Sequence, residues 1–237
     1  MAISKYVLRR VPLERLWRLL GPRGPLRLLL PVFEPYLSRL QRARWDQDWE
    51  LESQRPVSEL STVVPNELVE AVESGWIPPS SSVMDIGSGR GQISAWLAER
   101  GFRVLGVDLS AEATALAKLH FHHLGERLEF RTFDICTTPP EPGRFDWLVD
   151  RGCFHIIPDP LCPRYVANVA AWAKHGAPFL LFCRSYRVDR VPELFDSYFE
   201  LIRTQPILYS RSVGSIPRVT GPGVAFWMIR RGPAPPT

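Results

Sequence analysis

Val83-Met84-Asp85-Ile86-Gly87-Ser88-Gly89-Arg90-Gly91 is an apolar run that meets an acid and then three glycines at alternate positions. A strand ending this way turns sharply, because glycine adopts backbone conformations closed to other residues and has no Cβ to keep a ligand at a distance. A helix opening after Gly91 adds its free N–H groups at the ligand's edge, while Asp85 stands at the strand end facing that ligand. The spacing differs from that of a dinucleotide site, Gly-x-Gly-x-x-Gly: the third glycine comes one residue early, and Gln92 stands where that pattern wants glycine. Asp108 follows at the end of the next apolar run, Phe102 to Val107, as a second acid at a strand end.

Outward from this stretch, apolar runs alternate with helical patterns. Strands are expected over 82–86, 102–108, 127–133, 144–150 and 178–184, with helices over 91–100 and 110–123. Asp159-Pro160 reads as the cap and first turn of a further helix, closed by Lys174-His175-Gly176 with a cation and a glycine. Such alternation predicts an α/β fold, a mostly parallel sheet with helices on both faces. Two last strands, about 199–210 and 223–231, have only a Gly-Pro-rich turn between them, too short for a crossover helix, so they pair antiparallel. The expected architecture is a Rossmann-like sheet of seven strands that ends in an antiparallel hairpin. Upstream, 62–76 reads as a helix with Pro65 in its first turn and Leu68, Val69 and Val72 on one side. Residues 3–20 and 25–44 read as short amphipathic helices broken at Pro12, Gly21-Pro22, Pro31 and Pro35.

A chain of 237 residues suits one such domain with an extension: a basic helical segment or lid over 1–60, the domain over 61–231, and a frayed tail over 232–237. Hydrophobic residues at 45% and charged residues at 23% are those of a soluble globular protein, and no apolar run is long enough to span a bilayer. Cys136, Cys153, Cys162 and Cys183 lack paired zinc spacings and follow no signal peptide, so they read as reduced thiols of a cytoplasmic protein. Residues 1–30 carry seven basic side chains against Glu14, which leaves −2 of the total +4 for the rest. A basic tail on a nearly neutral body points to contact with anionic lipid or a partner protein rather than to a nucleic-acid substrate; the bland alternative packs the apolar face of those helices on the domain itself.

Asp85-Ile86-Gly87-Ser88-Gly89-Arg90-Gly91, then Asp108, then Phe133-Asp134-Ile135 after the third strand, resemble in register the cofactor residues of class I S-adenosylmethionine (SAM) methyltransferases. The resemblance covers nearly all of 60–231 and includes the terminal hairpin. It implies SAM as cofactor, with Asp85, Gly87, Ser88, Gly89 and Gly91 in the loop, Asp108 with Leu109 at the ribose, and Asp134 with Ile135 at the adenine. Caps and turns are the alternative roles of these acids. A looser resemblance, carried by Phe145 to Pro158 and by Trp45-Asp46-Gln47-Asp48-Trp49, is to the thiopurine and thiol S-methyltransferase-like branch. In that branch aromatics ahead of the domain fold over the cofactor, and relatives methylate sulfur, oxygen, halide or nitrogen of small molecules.

Methyl transfer from a sulfonium is an in-line displacement that asks the protein for positioning, exclusion of water and, for an acceptor with a proton to lose, a base. His155 is the candidate base, its ordinary pKa near ~6.5 suiting the work, with a packing role as the alternative. Asp150 either bonds the cofactor's amine, orients His155 or caps its loop. Arg151 is assigned to the cofactor and Trp45, Trp49, Cys153, Phe154, Arg184 and Tyr186 to the acceptor, with surface salt bridges as the alternative for the arginines. Cys153-x-His155 with Cys162 matches no established zinc pattern, so no metal is expected. The leading expectation is methylation of oxygen, sulfur or nitrogen in a small lipophilic or aromatic molecule. RNA or protein as acceptor is the second reading, against which Asp150-Arg151-Gly152-Cys153 replaces the Pro-Pro motif of amino-methylating nucleic-acid enzymes. A non-catalytic SAM-binding or membrane-associated module is the third.

Overall fold

The structure is a computed structural model that describes residues 27–53, 64–213 and 216–232. The expected helix over 3–20 and the tail after 232 lie outside the described residues. In chain order the elements are α1 (Leu30–Ser53), α2 (Asn66–Glu73), β1 (Ser82–Ile86), α3 (Gln92–Glu99), β2 (Arg103–Asp108), α4 (Ala111–Phe121) and β3 (Leu128–Thr132). There follow β4 (Trp147–Arg151), α5 (Cys162–Trp172), β5 (Pro178–Arg184), α6 (Arg190–Phe195), β6 (Phe199–Val213) and β7 (Ile216–Arg230). The strands form one seven-stranded sheet in the order β3-β2-β1-β4-β5-β7-β6, with β7 antiparallel to both β5 and β6 and the other pairs parallel.

Side chains alternate across this sheet, and both faces are apolar, as a covered parallel sheet requires. Met84, Leu105, Leu148, Phe179 and Leu181 face Tyr165, Val169 and Trp172 of α5 and Phe195 of α6. Val83, Val104, Trp147, Leu180 and Phe182 face Leu68 of α2 and Leu97 of α3. Chain order reverses between β1 and β4, so the carboxyl ends of β1, β2 and β4 open onto a crevice, the place where ligands bind in open α/β sheets.

Four local expectations are corrected. Residues 25–44 are not short helices broken at Pro31 and Pro35: one helix, α1, runs from Leu30 through Pro35 to Ser53. Pro31 occupies the first turn, where an amide N–H has no helical partner to lose, and Pro35 falls only four residues later. Asp159 does not cap a helix with its side chain; it opens a short 3-10 turn, Asp159–Leu161, and pairs instead with Arg187 at 2.9 Å. The helix that follows ends at Trp172, with Ala173 already extended, before the Lys174-His175-Gly176 turn is reached. The Gly-Pro-rich stretch is not the hairpin turn either, because Gly221-Pro222-Gly223 lies inside β7, paired with Tyr209, Leu208 and Ile207 of β6. A Cβ on Gly223 would lie 2.7 Å from the carbonyl oxygen of Cys183, so this glycine allows β5 and β7 to approach.

Candidate functional site

The loop after β1 is built on backbone bonds. The N–H groups of Gly87 and Ser88 both donate to the carbonyl of Val107, at 2.8 and 2.9 Å, which ties the loop to the end of β2. Gly89 N–H donates to Asp108 Oδ2 at 2.9 Å, and Ser110 N–H donates to Asp108 Oδ1 at 2.9 Å. Asp108 thus holds the glycine loop and the start of α4 together. Gly91, left-handed at φ 81°, caps α3 directly after the loop, so the helix N-terminus faces the crevice.

Two acids are buried beneath. Asp85, 2% exposed, accepts a hydrogen bond from Ser94 Oγ at 2.6 Å. Burial pushes its carboxyl up to about 7; Ser94 opposes this, and the charges of Asp150 and Asp108 add to it. Asp134 sits at the end of the loop after β3, its Oδ1 accepting from Cys136 N–H at 2.9 Å. Asp85, Asp108 and Asp134 all line one cavity, with Gly87, Ser88 and Gly89 on its floor. Leu109, Phe133, Ile135 and Ile157 supply apolar wall, and Arg151 and Cys153 close the side toward β4.

The roof is α1. Trp45 and Trp49 line the cavity from above, with Gln41 one turn earlier on the same helix. Trp49 is buried, and a Cβ on Gly89 would stand 2.8 Å from its indole ring, so only glycine lets the tryptophan settle on the loop. Helix α1 packs along α4, and Asp46 binds the start of α4 through Ser110 Oγ at 2.6 Å and Ala111 N–H at 3.0 Å.

The remaining candidates stand apart from the cavity wall. Asp150 is fully buried and spends its carboxylate on its own loop: Oδ1 accepts from Gly152 N–H at 2.9 Å and Cys153 N–H at 2.8 Å, and Oδ2 accepts from Phe154 N–H at 2.9 Å and from the Tyr165 hydroxyl. Burial raises it to about 6 against those four donors. Phe154 is a core residue, its ring tilted against Tyr165 and edge-on to Phe195. His155 is buried behind the wall, edge-on to Tyr209 at 5.2 Å and to Tyr186 at 6.0 Å, and its carbonyl accepts from the Tyr186 hydroxyl at 3.1 Å. The guanidinium groups of Arg151 and Arg184 lie 5.3 and 5.2 Å from the centre of the same Tyr209 ring. Two cations, a histidine and two tyrosines therefore meet beside the β4 side of the cavity, and only Arg151 belongs to both groups.

Sequence reasoning missed Gln41, Asp46, Arg90, Ser94, Ser110 and Tyr209. Ser110 carried a signal, a serine directly ahead of a helical run, and it does cap α4 by accepting from Ala113 N–H at 3.2 Å. Asp46 had none, since its partners lie 64 and 65 residues along the chain.

The donor set fits SAM. A crowd of carboxylates, one of them pushed up to about 7 by burial and by its acidic neighbours, suits a ligand carrying an ammonium and a sulfonium. Apolar walls and an indole roof suit a purine, and the glycine floor leaves no Cβ in its way.

Residues 83–176 match the family model described as a methyltransferase domain. Curated relatives include a 2-heptyl-1-hydroxyquinolin-4(1H)-one methyltransferase of Mycobacteroides abscessus, 29% identical over 116 residues, which are 48% of this chain and 50% of that protein. Another is a ubiquinone biosynthesis O-methyltransferase of Dechloromonas aromatica, 33% identical over 79 residues, 33% of this chain and 34% of that protein. The chain thus spans half or less of the length of these two relatives. Among solved structures, one described as the conversion of a disulfide bond into a thioacetal group during echinomycin biosynthesis has a TM-score of 0.69 at 18% identity, covering 81% of this chain and 92% of that one. A TehB-like SAM-dependent methyltransferase of Corynebacterium glutamicum has a TM-score of 0.59 at 18% identity, covering 84% of this chain and 100% of its own. A Burkholderia thailandensis 1,6-didemethyltoxoflavin-N1-methyltransferase, bound to its acceptor and S-adenosylhomocysteine, has a TM-score of 0.52 at 20% identity, covering 75% of this chain and 92% of its own. At such identities these structures speak for the fold alone. Residues 83–176 thus match a methyltransferase domain, and sheet order and glycine loop give the chain a fold similar to that of SAM-dependent methyltransferases.

Proposed function

We propose that the protein transfers the methyl group of SAM to a hydroxyl oxygen on a small aromatic or quinoid molecule with lipophilic character. The observation that carries this reading is the cavity at the ends of β1, β2 and β4, floored by Gly87 and Gly89, lined by three acids and roofed by Trp45 and Trp49. Oxygen is favoured over sulfur and nitrogen because one curated relative is named for a hydroxyquinolone and another for O-methylation in ubiquinone biosynthesis. The hydroxyquinolone and the ubiquinone of these names are both rings, and the aromatic and apolar surface of this cavity is of the kind that stacks on rings.

When bound, SAM supplies a methyl carbon already activated by its sulfonium. The chain's own residues do the rest. Asp108 and Asp134, with Leu109 and Ile135, hold the nucleoside part. Asp85 and the glycine loop take the cationic amino-acid part. The indoles of Trp45 and Trp49 exclude water, which keeps charged and leaving groups in fixed surroundings. Arg151 brings positive charge to the side where an acceptor hydroxyl loses its proton, which favours its anion. His155, buried behind the wall and edge-on to the Tyr209 ring that Arg151 covers, is assigned to positioning that ring, and the acceptor's proton passes to solvent.

Incubation of the purified protein with isotopically labelled SAM and a panel of hydroxyquinolones, hydroxyquinols, simple phenols and thiols tests this. Label on a ring hydroxyl is the expected outcome, with Arg151→Gln lowering turnover of weakly acidic phenols more than of acidic ones. Label on bulk RNA or protein in place of small molecules, or no binding of S-adenosylhomocysteine in a calorimetric titration, sinks the proposal.

A further inference from the structure

Asp46 stands on α1 between the two tryptophans of the roof, with Trp49 three residues on and so about one helical turn away. Both of its hydrogen bonds fall on one oxygen, Oδ1, which accepts from Ser110 Oγ at 2.6 Å and from Ala111 N–H at 3.0 Å. These are groups at the start of α4, where backbone N–H groups lack helical partners and a negative charge is favoured by the helix dipole. Ser110 is fully buried and its own N–H donates to Asp108 Oδ1, while Asp108 Oδ2 accepts from Gly89 N–H at 2.9 Å. Gly89 in turn lies against the Trp49 indole. The contacts close a circuit: Asp46, Ser110, Asp108, Gly89, Trp49, and back along α1 to Asp46.

We propose that Asp46 is the latch of the cavity roof, a positioning residue that fixes Trp45 and Trp49 over the bound cofactor and ties roof closure to the conformation of the Gly89 loop through Ser110 and Asp108. The proposal rests on the reading of the cavity as a cofactor site. A ligand under Trp49 leaves when α1 lifts, and lifting α1 breaks both Asp46 bonds. The latch therefore governs dissociation more than encounter. Both bonds satisfy donors at a helix start, and one of these, the Ala111 N–H, has no helical partner, so a single acceptor residue suffices to hold the roof. Because one oxygen accepts both bonds, asparagine can keep the geometry and alanine cannot.

The test compares wild type, Asp46→Ala and Asp46→Asn as full chains. Amide hydrogen exchange in the ligand-free proteins reads the latch directly: Asp46→Ala should speed exchange across 41–51 and at Gly89 and Ala111, while Asp46→Asn matches wild type. Stopped-flow dissociation of S-adenosylhomocysteine, followed by tryptophan fluorescence, should be about tenfold faster in Asp46→Ala and within about threefold of wild type in Asp46→Asn. Unchanged exchange and an unchanged dissociation rate in Asp46→Ala overturn the latch. Equal losses in both variants overturn it as well, since they mean that charge or folding, not the two bonds, is at stake. If wild type itself fails to bind S-adenosylhomocysteine, the cofactor reading falls, and the exchange measurement still decides whether Asp46 fastens α1.

Discussion

Asp150 lies at a strand end beside the cavity, yet four donors converge on it and all are its own neighbours or the core tyrosine. Asparagine there keeps one acceptor oxygen and turns an N–H₂ toward two of those donors, whichever way the amide is flipped. Buried donors left without acceptors cost roughly 1–3 kcal/mol each, so Asp150→Asn should lower stability by about 2 kcal/mol or more, and Tyr165→Phe, which removes one donor, by less. Thermal unfolding of both variants beside wild type checks the order. A stable Asp150→Asn protein that has lost only turnover would contradict this structural role. The sequence placed Asp150 at the end of a strand but left three roles open, because which donors reach a carboxylate is decided by the turn that follows. Asp46 is less legible still: nothing local to the two tryptophans gives it a role, since its partners Ser110 and Ala111 are 64 and 65 residues away.

Most strands and helices were legible from period-two and helical apolar patterns, whereas boundaries set by tertiary contact were not. The clearest case is β7. Gly221-Pro222-Gly223 has the composition of a turn, but pairing with β6 carries the strand through it. The two glycines serve different ends there. Around Gly221 a Cβ would meet nothing within 4 Å, whereas at Gly223 it would press on the Cys183 carbonyl oxygen at 2.7 Å, a backbone atom of β5 that cannot swing aside. Gly223→Ala should therefore cost about 1–3 kcal/mol, the usual penalty of overpacking, while Gly221→Ala stays near neutral. Denaturant unfolding of the pair measures this, and equal midpoints would mean that the β5–β7 spacing is not fixed at Gly223. Helix α1 belongs to the same class: its prolines read as breaks, and packing on α4 sustains a helix through them.

For the whole molecule, the alternation of strands and helices was enough to foresee an open parallel sheet with an antiparallel end, because each strand had to bury two apolar faces. The acidic interior of the crevice was less visible, since the chain's net charge is +4 and its acids are spread from 85 to 150. Folding gathers them, and this sets how stability responds to pH. Asp85 is raised by burial from 3.8 to about 7, and Asp150 by burial to about 6. A carboxyl whose folded pKa lies above its unfolded value supports the fold fully below the unfolded pKa and loses that support as pH rises through the folded one. Both groups therefore weaken the ligand-free fold progressively between about pH 4 and pH 7. Asp146 works in the opposite sense: partial burial raises it, but Lys174 and Ser82 hold it down to about 2, so its support is complete above 3.8 and is lost only as pH falls through 2. Asp85→Asn keeps an acceptor for Ser94 and removes the buried charge. Its stability relative to wild type, read by thermal unfolding, should be nearly equal at pH 4 and higher at pH 8, by an amount on the order of 4 kcal/mol at most, at about 1.4 kcal/mol per unit of pKa. Taking the difference between the two proteins cancels the titration of groups remote from Asp85, including the basic N-terminal segment, and leaves Asp85 with its coupled neighbours Asp150 and Asp108. A variant that melts at or below wild type at pH 8 would mean that Asp85 is not the strained charge of this cavity. If SAM then relieves the strain, its stabilising effect at pH 8 should be larger in wild type than in Asp85→Asn, because only wild type offers the cation the carboxylate that burial has raised to about 7.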